Sequence, residues 1–185
     1  MIIAKGENIN IRELTWGDLK LLQKWYNDPE VAFWALGLTG EKSTIKDFER
    51  WYKNANSNVH RFIIELKNGF AIGSISYRDY DINNKKVTLG IHIGEKNFWG
   101  KGLGTEATKL FIRYLFDNLD INRIELDTFD ENVRAIKAYQ KCGFKIEGVL
   151  REAKCIDGKF HDKILMGLLK KDFENMTNNE NIKID

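Results

Sequence analysis

The chain has 185 residues, and its 29 basic and 27 acidic side chains give a formal net charge of +2. This balance does not indicate a nucleic-acid-binding surface, and 43% hydrophobic residues are enough for one sizeable core. Cys142 and Cys155 lack a C-x-x-C spacing or a histidine cluster, so neither a disulfide framework nor a metal site is expected. Because no signal peptide or long apolar run is evident, we expect a cytoplasmic protein without membrane association.

The first half of the chain predicts one strand, two helices and a three-stranded antiparallel meander. The strand covers residues 8–14, and Thr15 with Asp18 marks the start of the first helix. Asp28 and Pro29 form a second helix-start signal. From Phe33 to Ser43 the periodicity lapses, which predicts an apolar loop lining a pocket. The remaining elements of this half are a helix over 44–54 and strands over 60–66, 71–80 and 87–93.

A glycine-rich turn then joins a strand to a helix. Val87, Leu89, Ile91 and Ile93 alternate with more polar residues, and from Leu103 onward the apolar residues recur at helical spacing. Three glycines at every second position, at 100, 102 and 104, leave the backbone accessible, and the free N–H groups of the first helical turn favour an anion. The spacing fits neither G-x-G-x-x-G nor the Walker loop, so a different pyrophosphate-binding loop is predicted.

The second half predicts a strand over 122–129, parallel to the strand before the glycine turn because a helix connects them. A ligand is then expected where these parallel neighbours meet the glycine turn. A helix should run from Asp130 and Glu131 to about Lys141, followed by strands over 144–150 and 160–169. We expect one domain over residues 1–172, a short helical end from Asp172 onward, and then a disordered part of the polar tail over 173–185.

Two segments together resemble a known family. The segment Trp99–Ala107 resembles the acetyl-CoA motif of the GNAT N-acetyltransferase superfamily, closest to its RimJ/RimL (ribosomal-protein-alanine) and polyamine acetyltransferase branch. The segment Asn132–Phe144 is similar to the second motif of the same family, in the same order. The resemblance implies an α/β fold with a mixed, mostly antiparallel sheet of about seven strands. Its central parallel pair would open at the acetyl-CoA site, and about four helices would flank the sheet.

The resemblance also implies a set of site residues and no metal. Asn132 would help to hold acetyl-CoA, and Tyr139 would protonate the departing sulfur as general acid. Backbone amides near Ile93 would stabilise the oxyanion. The pyrophosphate would be bound by the backbone amides of Lys101, Gly102, Leu103, Gly104 and Thr105. The pantetheine arm would be bound by the backbone groups of Ile91, His92 and Ile93.

The general base is where the sequence departs from the family pattern. Many relatives carry a glutamate at the position that matches Thr88, and threonine cannot accept a proton near neutral pH. Strand alternation places His92 on the same face as Thr88, and imidazole has a suitable pKa. We therefore predict His92 as the replacement base, against the alternative of a packed or surface histidine.

These observations predict transfer of an acetyl group from acetyl-CoA to a primary amine, with the N-terminal amine of a protein as the leading acceptor. A polyamine is the next candidate, since acidic residues of the first half could attract a polycation. They are Asp28, Glu30, Glu41, Asp47 and Glu49. An aminoglycoside or amino-sugar acceptor, a noncatalytic acyl-CoA-binding sensor and a homodimer are left open.

Overall fold

The computed structural model describes residues 1–37, 42–54 and 58–181. Within these ranges the chain forms eight strands and six α-helices, one strand and two helices more than expected. The strands are β1 (Ile2–Lys5), β2 (Ile9–Glu13), β3 (Val59–Leu66), β4 (Ala71–Asp81), β5 (Lys86–Ile93), β6 (Arg123–Phe129), β7 (Lys145–Ile156) and β8 (Lys159–Leu169). The helices are α1 (Leu19–Tyr26), α2 (Pro29–Leu36), α3 (Ile45–Lys53), α4 (Leu103–Asn118), α5 (Val133–Lys141) and α6 (Lys170–Asn181).

All described strands form one sheet in the order β1-β2-β3-β4-β5-β6-β8-β7. Neighbours are antiparallel except β5 and β6, which are parallel and are connected through α4. The parallel pairing covers only Lys86–Thr88 against Arg123–Glu125, and beyond it the two strands are no longer paired. The predicted mixed α/β sheet with a central parallel pair is therefore confirmed, and the sheet opens between the C-terminal parts of β5 and β6.

Two hydrophobic cores lie on opposite faces of the sheet. The larger core joins α4 and α5 to the strands, and Phe111 and Ile112 of α4 are completely buried there. The smaller core lies under α1 and α2 around Leu22 and Trp25. Gly94 permits this packing at the end of β5, because a Cβ atom at that position would lie 2.2 Å from the Trp25 ring.

The N-terminal region contains a strand that the sequence did not predict. Strand β1 is only four residues long and forms the edge of the sheet, where it pairs with β2. A segment this short shows too little alternation to be recognised by its periodicity. The predicted capping pair is present: Asp18 accepts from the backbone and hydroxyl of Thr15, both at 2.8 Å, before a short 3₁₀ turn leads into α1.

Helix α2 corrects the predicted apolar loop from Phe33 to Ser43, because residues 33–36 are helical. The start signal was right: the Asp28 carboxylate accepts from the N–H groups of Glu30 at 3.0 Å and Val31 at 3.2 Å. The helix contains apolar residues around most of its circumference, which is typical of a buried helix and removes the periodic pattern. Residues 38–41 of the predicted loop lie outside the described residues.

The C-terminal boundary also differs from the expectation. Helix α6 extends to Asn181, so residues 173–181 of the predicted polar tail are helical, and residues 182–185 lie outside the described part. Phe173 packs against Phe116 of α4 with ring centroids 5.4 Å apart, which attaches the helix to the larger core. No helix in the described residues is long and apolar enough to cross a membrane.

Candidate active site

A cleft of about 610 Å³ occupies the opening between β5 and β6. It brings together most of the site residues predicted from sequence, namely Ile91, His92, Ile93, Gly102, Leu103, Gly104, Thr105, Asn132 and Tyr139. Lys101 is not part of the lining, and its ammonium group lies 5.2 Å from the centre of the Phe98 ring. Across the described ranges, no three His, Cys, Asp or Glu side chains are grouped as metal ligands would be.

The glycine loop exposes the first amides of α4 to this cleft. Gly102 precedes the helix with φ +80°, a conformation that other residues adopt only under strain. The first intrahelical bond runs from Glu106 N–H to Gly102 C=O at 3.0 Å. The amides of Leu103, Gly104 and Thr105 precede it, so they have no acceptor within the helix and are available to an anion.

A basic helix face lines the same cleft as the glycine loop. Arg134, Lys137 and Lys141 of α5 line the cleft, and they recur at helical spacing. The guanidinium of Arg134 lies 4.4 Å from the centre of the Trp99 ring, next to the loop. Free amides on one wall and cations on the other fit a diphosphate group. The sequence analysis assigned no role to Arg134 and Lys137, although their spacing on one helix face was a usable signal.

The backbone N–H and C=O groups of successive residues of β5 point alternately to β4 and to the cleft. Gly94 N–H donates to Ile72 C=O at 2.8 Å, and the β4–β5 register is regular from Gly73 to Arg78. Because antiparallel ladders alternate, His92 then directs its backbone groups to β4, whereas Ile91 and Ile93 direct theirs to the opening. The Ile93 carbonyl accepts from the Trp99 indole at 2.7 Å, so the N–H of Ile93 is the backbone group of this residue that remains to bind a substrate. This assignment favours Ile91 and Ile93, but not the backbone of His92, as ligands of an extended substrate.

Tyr139 is 9% exposed on α5 and lines the cleft. Burial raises the pKa of its phenol well above the usual value, and Cys142 and Asp127 add to the increase. The phenol therefore keeps its proton at neutral pH. No hydrogen-bonding partner holds its hydroxyl among the residues that the structure describes. Such a group can donate to a sulfur atom on which negative charge develops.

Asn132 is the N-cap of α5 and is 6% exposed. Its amide nitrogen donates to Trp34 C=O at 3.0 Å, and its side-chain oxygen accepts from Ala135 N–H at 3.4 Å. It therefore connects α2 to α5 across the cleft. Because both side-chain groups have partners within the protein, the structure supports a role in positioning the two walls.

His92 faces the smaller core, with its ring edge-on to Trp25 and Tyr26. Its face is shared with Thr88 and Gly90, as predicted, since no bulge interrupts β5 from Thr88 to Ile93. Nδ1 lies 3.4 Å from Ser74 Oγ, and the buried Nε2 has no partner among the described residues. Burial, with the nearby Arg61 charge, lowers the pKa of His92 to about 3. The ring is therefore neutral at physiological pH and is a very weak proton acceptor.

Several cleft residues escaped the sequence analysis. Asp127 lines the opening, with Lys163 Nζ at 3.3 Å and Arg78 Nη2 at 4.0 Å from its oxygens. Lys154 also lines the cleft, and burial lowers the pKa of its ammonium group. Asp127 and Lys154 come from β6 and β7, and no local pattern connects them with their partners. The Trp34 ring, from the segment predicted to line a pocket, stacks on Phe129 with centroids 5.8 Å apart and forms an aromatic wall.

Comparisons with known proteins agree with this geometry. Residues 8–145 match the family described as "Acetyltransferase (GNAT) domain". A putative ribosomal N-acetyltransferase of Bacillus subtilis is 32% identical over 136 residues, covering 74% of this chain and 72% of that protein. The spermidine N(1)-acetyltransferase of Escherichia coli is 28% identical over 174 residues, covering 89% and 87%.

The fold is also that of a solved acetyltransferase. The crystal structure of spermidine N-acetyltransferase from Vibrio cholerae, in complex with CoA and spermine, superimposes with a TM-score of 0.83. The match has 24% identity and covers 92% of this chain and 100% of that one. None of these findings supports a noncatalytic sensor. The chain belongs to the GNAT acetyltransferase family and is an N-acetyltransferase.

Proposed function

We propose that this protein transfers the acetyl group of acetyl-CoA directly to the N-terminal amine of a protein or peptide, within a ternary complex. The observation that carries the proposal is the meeting of the glycine loop, the open edge of β5 and Tyr139 in one cleft. The loop amides of residues 103–105 would bind the pyrophosphate, and Arg134 and Lys137 would add positive charge. The acceptor would approach from the His92 face of β5.

The chemistry at the acetyl group then needs stabilisation of the oxyanion, a proton for the leaving sulfur and a neutral amine. The N–H of Ile93 would stabilise the oxyanion that forms when the amine attacks. Tyr139 would donate a hydrogen bond to the sulfur and then its proton as the C–S bond breaks, and the proton lost by the newly bonded nitrogen would pass through solvent to restore the phenol. Because burial makes this phenol a weaker acid than usual, its hydrogen bond to the developing charge contributes before the proton moves.

The state of His92 favours an acceptor that loses its proton easily. A neutral ring with a pKa of about 3 cannot take a proton efficiently from an ammonium group, so the amine has to arrive neutral. This costs about 1 kcal/mol at pH 7 for an α-amino group and about 4.6 kcal/mol for a lysine-like nitrogen. An N-terminal amine therefore fits better than a polyamine, and His92 fits better as a packed wall residue than as the base.

A polyamine is the second candidate, because relatives are named for spermidine. The acidic residues that could attract a polycation are largely engaged within the protein. Asp28 and Glu30 pair with Lys96 at 2.9 and 3.3 Å, and Asp47 caps α3. Glu49 is partly buried on α3, and Glu41 lies outside the described residues.

The proposal is tested by measuring thiol release from acetyl-CoA with a panel of amines. The panel contains two forms of one lysine-containing peptide: one has a free N terminus, and the other has a blocked N terminus, so that its lysine is the free amine. Spermidine and an aminoglycoside complete the panel. We expect turnover with the first peptide and at least about tenfold less with the others at pH 7, following the cost of neutralising each amine. CoA binding without turnover of the peptide that has a free N terminus would overturn the proposed acceptor.

A further inference from the structure

A second cavity of about 270 Å³ lies beside α1 and α3, on the same face of the sheet as His92. Arg61 of β3 forms part of its wall and is half-buried. Its guanidinium carbon lies 5.4 Å from the centres of both the Tyr26 and the Trp51 rings. The aromatic rings therefore fix the position of one cation at the cavity.

Arg61 differs from other half-buried arginines in its partners. Arg12 binds Asp18 at 2.7 Å and Glu65 at 2.8 Å, and Arg123 likewise has two carboxylate partners. Arg61 Nη1 donates to the hydroxyls of Tyr26 and Ser74, and no carboxylate in residues 1–37, 42–54 or 58–181 lies within ion-pair distance. Because burying a charge without a counter-charge is costly, this guanidinium favours an anion in the cavity.

Asp47 is a carboxylate that lines the same cavity and could serve as a counter-charge to Arg61. Its oxygens accept from Thr44 N–H at 2.8 Å and from the Thr44 hydroxyl at 2.7 Å, and Arg50 lies 3.7 Å away. These contacts lower the pKa of Asp47 and commit it to capping α3. Arg61 is therefore left to interact with a ligand.

The cavity adjoins the place where the acceptor amine would react. Arg61 Nη1 lies 3.2 Å from Ser74 Oγ, which lies 3.4 Å from His92 Nδ1. His92 lines the main cleft, and its ring centroid is 5.1 Å from that of Tyr26. The cation is thus two hydrogen bonds from the cleft, a separation that one or two residues of extended peptide span at about 3.3 Å each.

We propose that Arg61 binds a carboxylate carried by the acceptor, so that the preferred substrate is a peptide N terminus with Asp or Glu at its second position. This inference rests on the proposed function and specifies its substrate class. A guanidinium held between two rings can bind a carboxylate through paired hydrogen bonds. It also repels a polyamine, whose nitrogens are all cationic at neutral pH.

The test compares peptides that differ only in charge. They begin Ala-Asp, Ala-Asn, Ala-Glu or Ala-Gln, share the remaining neutral sequence and end in an amide. For the unmodified protein we expect kcat/KM at least about tenfold higher for each acid than for its amide, mainly through KM. Arg61→Gln should reduce this ratio to near one, whereas Arg113→Gln, an exposed arginine on α4, should preserve it.

The outcomes separate this inference from the proposed function. Equal kcat/KM for acid and amide peptides in the unmodified protein would overturn the inference and would leave N-terminal acetylation intact. An unchanged preference in Arg61→Gln would overturn it as well. Absence of thiol release with every amine would overturn the proposed function itself. The comparison in the unmodified protein needs no variant, so a folding defect in Arg61→Gln does not weaken it.

Discussion

The lowered pKa of His92 predicts a measurable dependence of stability on pH. In the unfolded chain the ring titrates near pH 6.5, and in the folded protein burial lowers its pKa to about 3. As the pH falls below 6.5, the unfolded state binds a proton that the folded state does not, so the free energy of unfolding decreases. The two pKa values give a loss of about 2 kcal/mol between pH 8 and pH 5 from this residue alone.

Urea unfolding at pH 8, 6.5 and 5 measures this loss. His92→Gln keeps a polar side chain of similar size but removes the titrating group. We expect the unmodified protein to lose about 2 kcal/mol more than His92→Gln over this range. A constant cost of the substitution cancels, because only the change with pH is compared. His60→Gln, in which the altered residue is exposed on β3, serves as the control and should follow the unmodified protein.

The same measurement decides what His92 can do in catalysis. An equal pH dependence in the unmodified protein and in His92→Gln would show that the ring is not held neutral. The reasoning that excludes it as an efficient base would then be refuted. A difference close to the expected value would support a wall residue that keeps the acceptor side free of a titrating group near neutral pH.

Three further changes test other parts of the site and the fold. Tyr139→Phe should lower kcat by about 10- to 1000-fold, in the range of general-acid loss, with little change in the Kd for CoA measured by calorimetry. Gly102→Ala places its Cβ in open space, yet φ +80° should cost about 1–2 kcal/mol of stability and weaken CoA binding through the displaced loop. Asp18→Asn removes a buried partner of Arg12 and should lower the free energy of unfolding by roughly 2–4 kcal/mol.

A matched control or a contradicting outcome checks each of these changes. Unaltered turnover in Tyr139→Phe would remove the phenol from the mechanism. Gly69→Ala shares the positive φ and the open surroundings in the β3–β4 hairpin and does not line the cleft, so it should lose similar stability without affecting CoA binding. Asp47→Asn alters an exposed capping carboxylate and should cost less than about 1 kcal/mol. A cost equal to that of Asp18→Asn would argue against the buried ion pair.

Local patterns in the sequence predicted the elements whose signal lies within a few residues. The Thr15 and Asp18 capping pair and the glycine turn before α4 depend on neighbouring residues, and the structure contains both. Helix α2 did not show such a pattern, because its apolar residues cover most of its surface. Strand β1 is stabilised by pairing with β2 rather than by its own alternation, so its four residues gave no local signal.

The sequence by itself determined the family resemblance, the parallel crossover and the cleft residues that belong to the two motifs. Only the tertiary structure decided the environments of these residues. Burial beside Trp25 and Tyr26 lowers the pKa of His92, and a hydrogen bond to Trp34 C=O connects Asn132 to α2. The tertiary structure also places Arg61 on the acceptor side, without a carboxylate partner among the described residues. A pKa and a charge balance depend on burial and on groups distant in the chain, which no local pattern records.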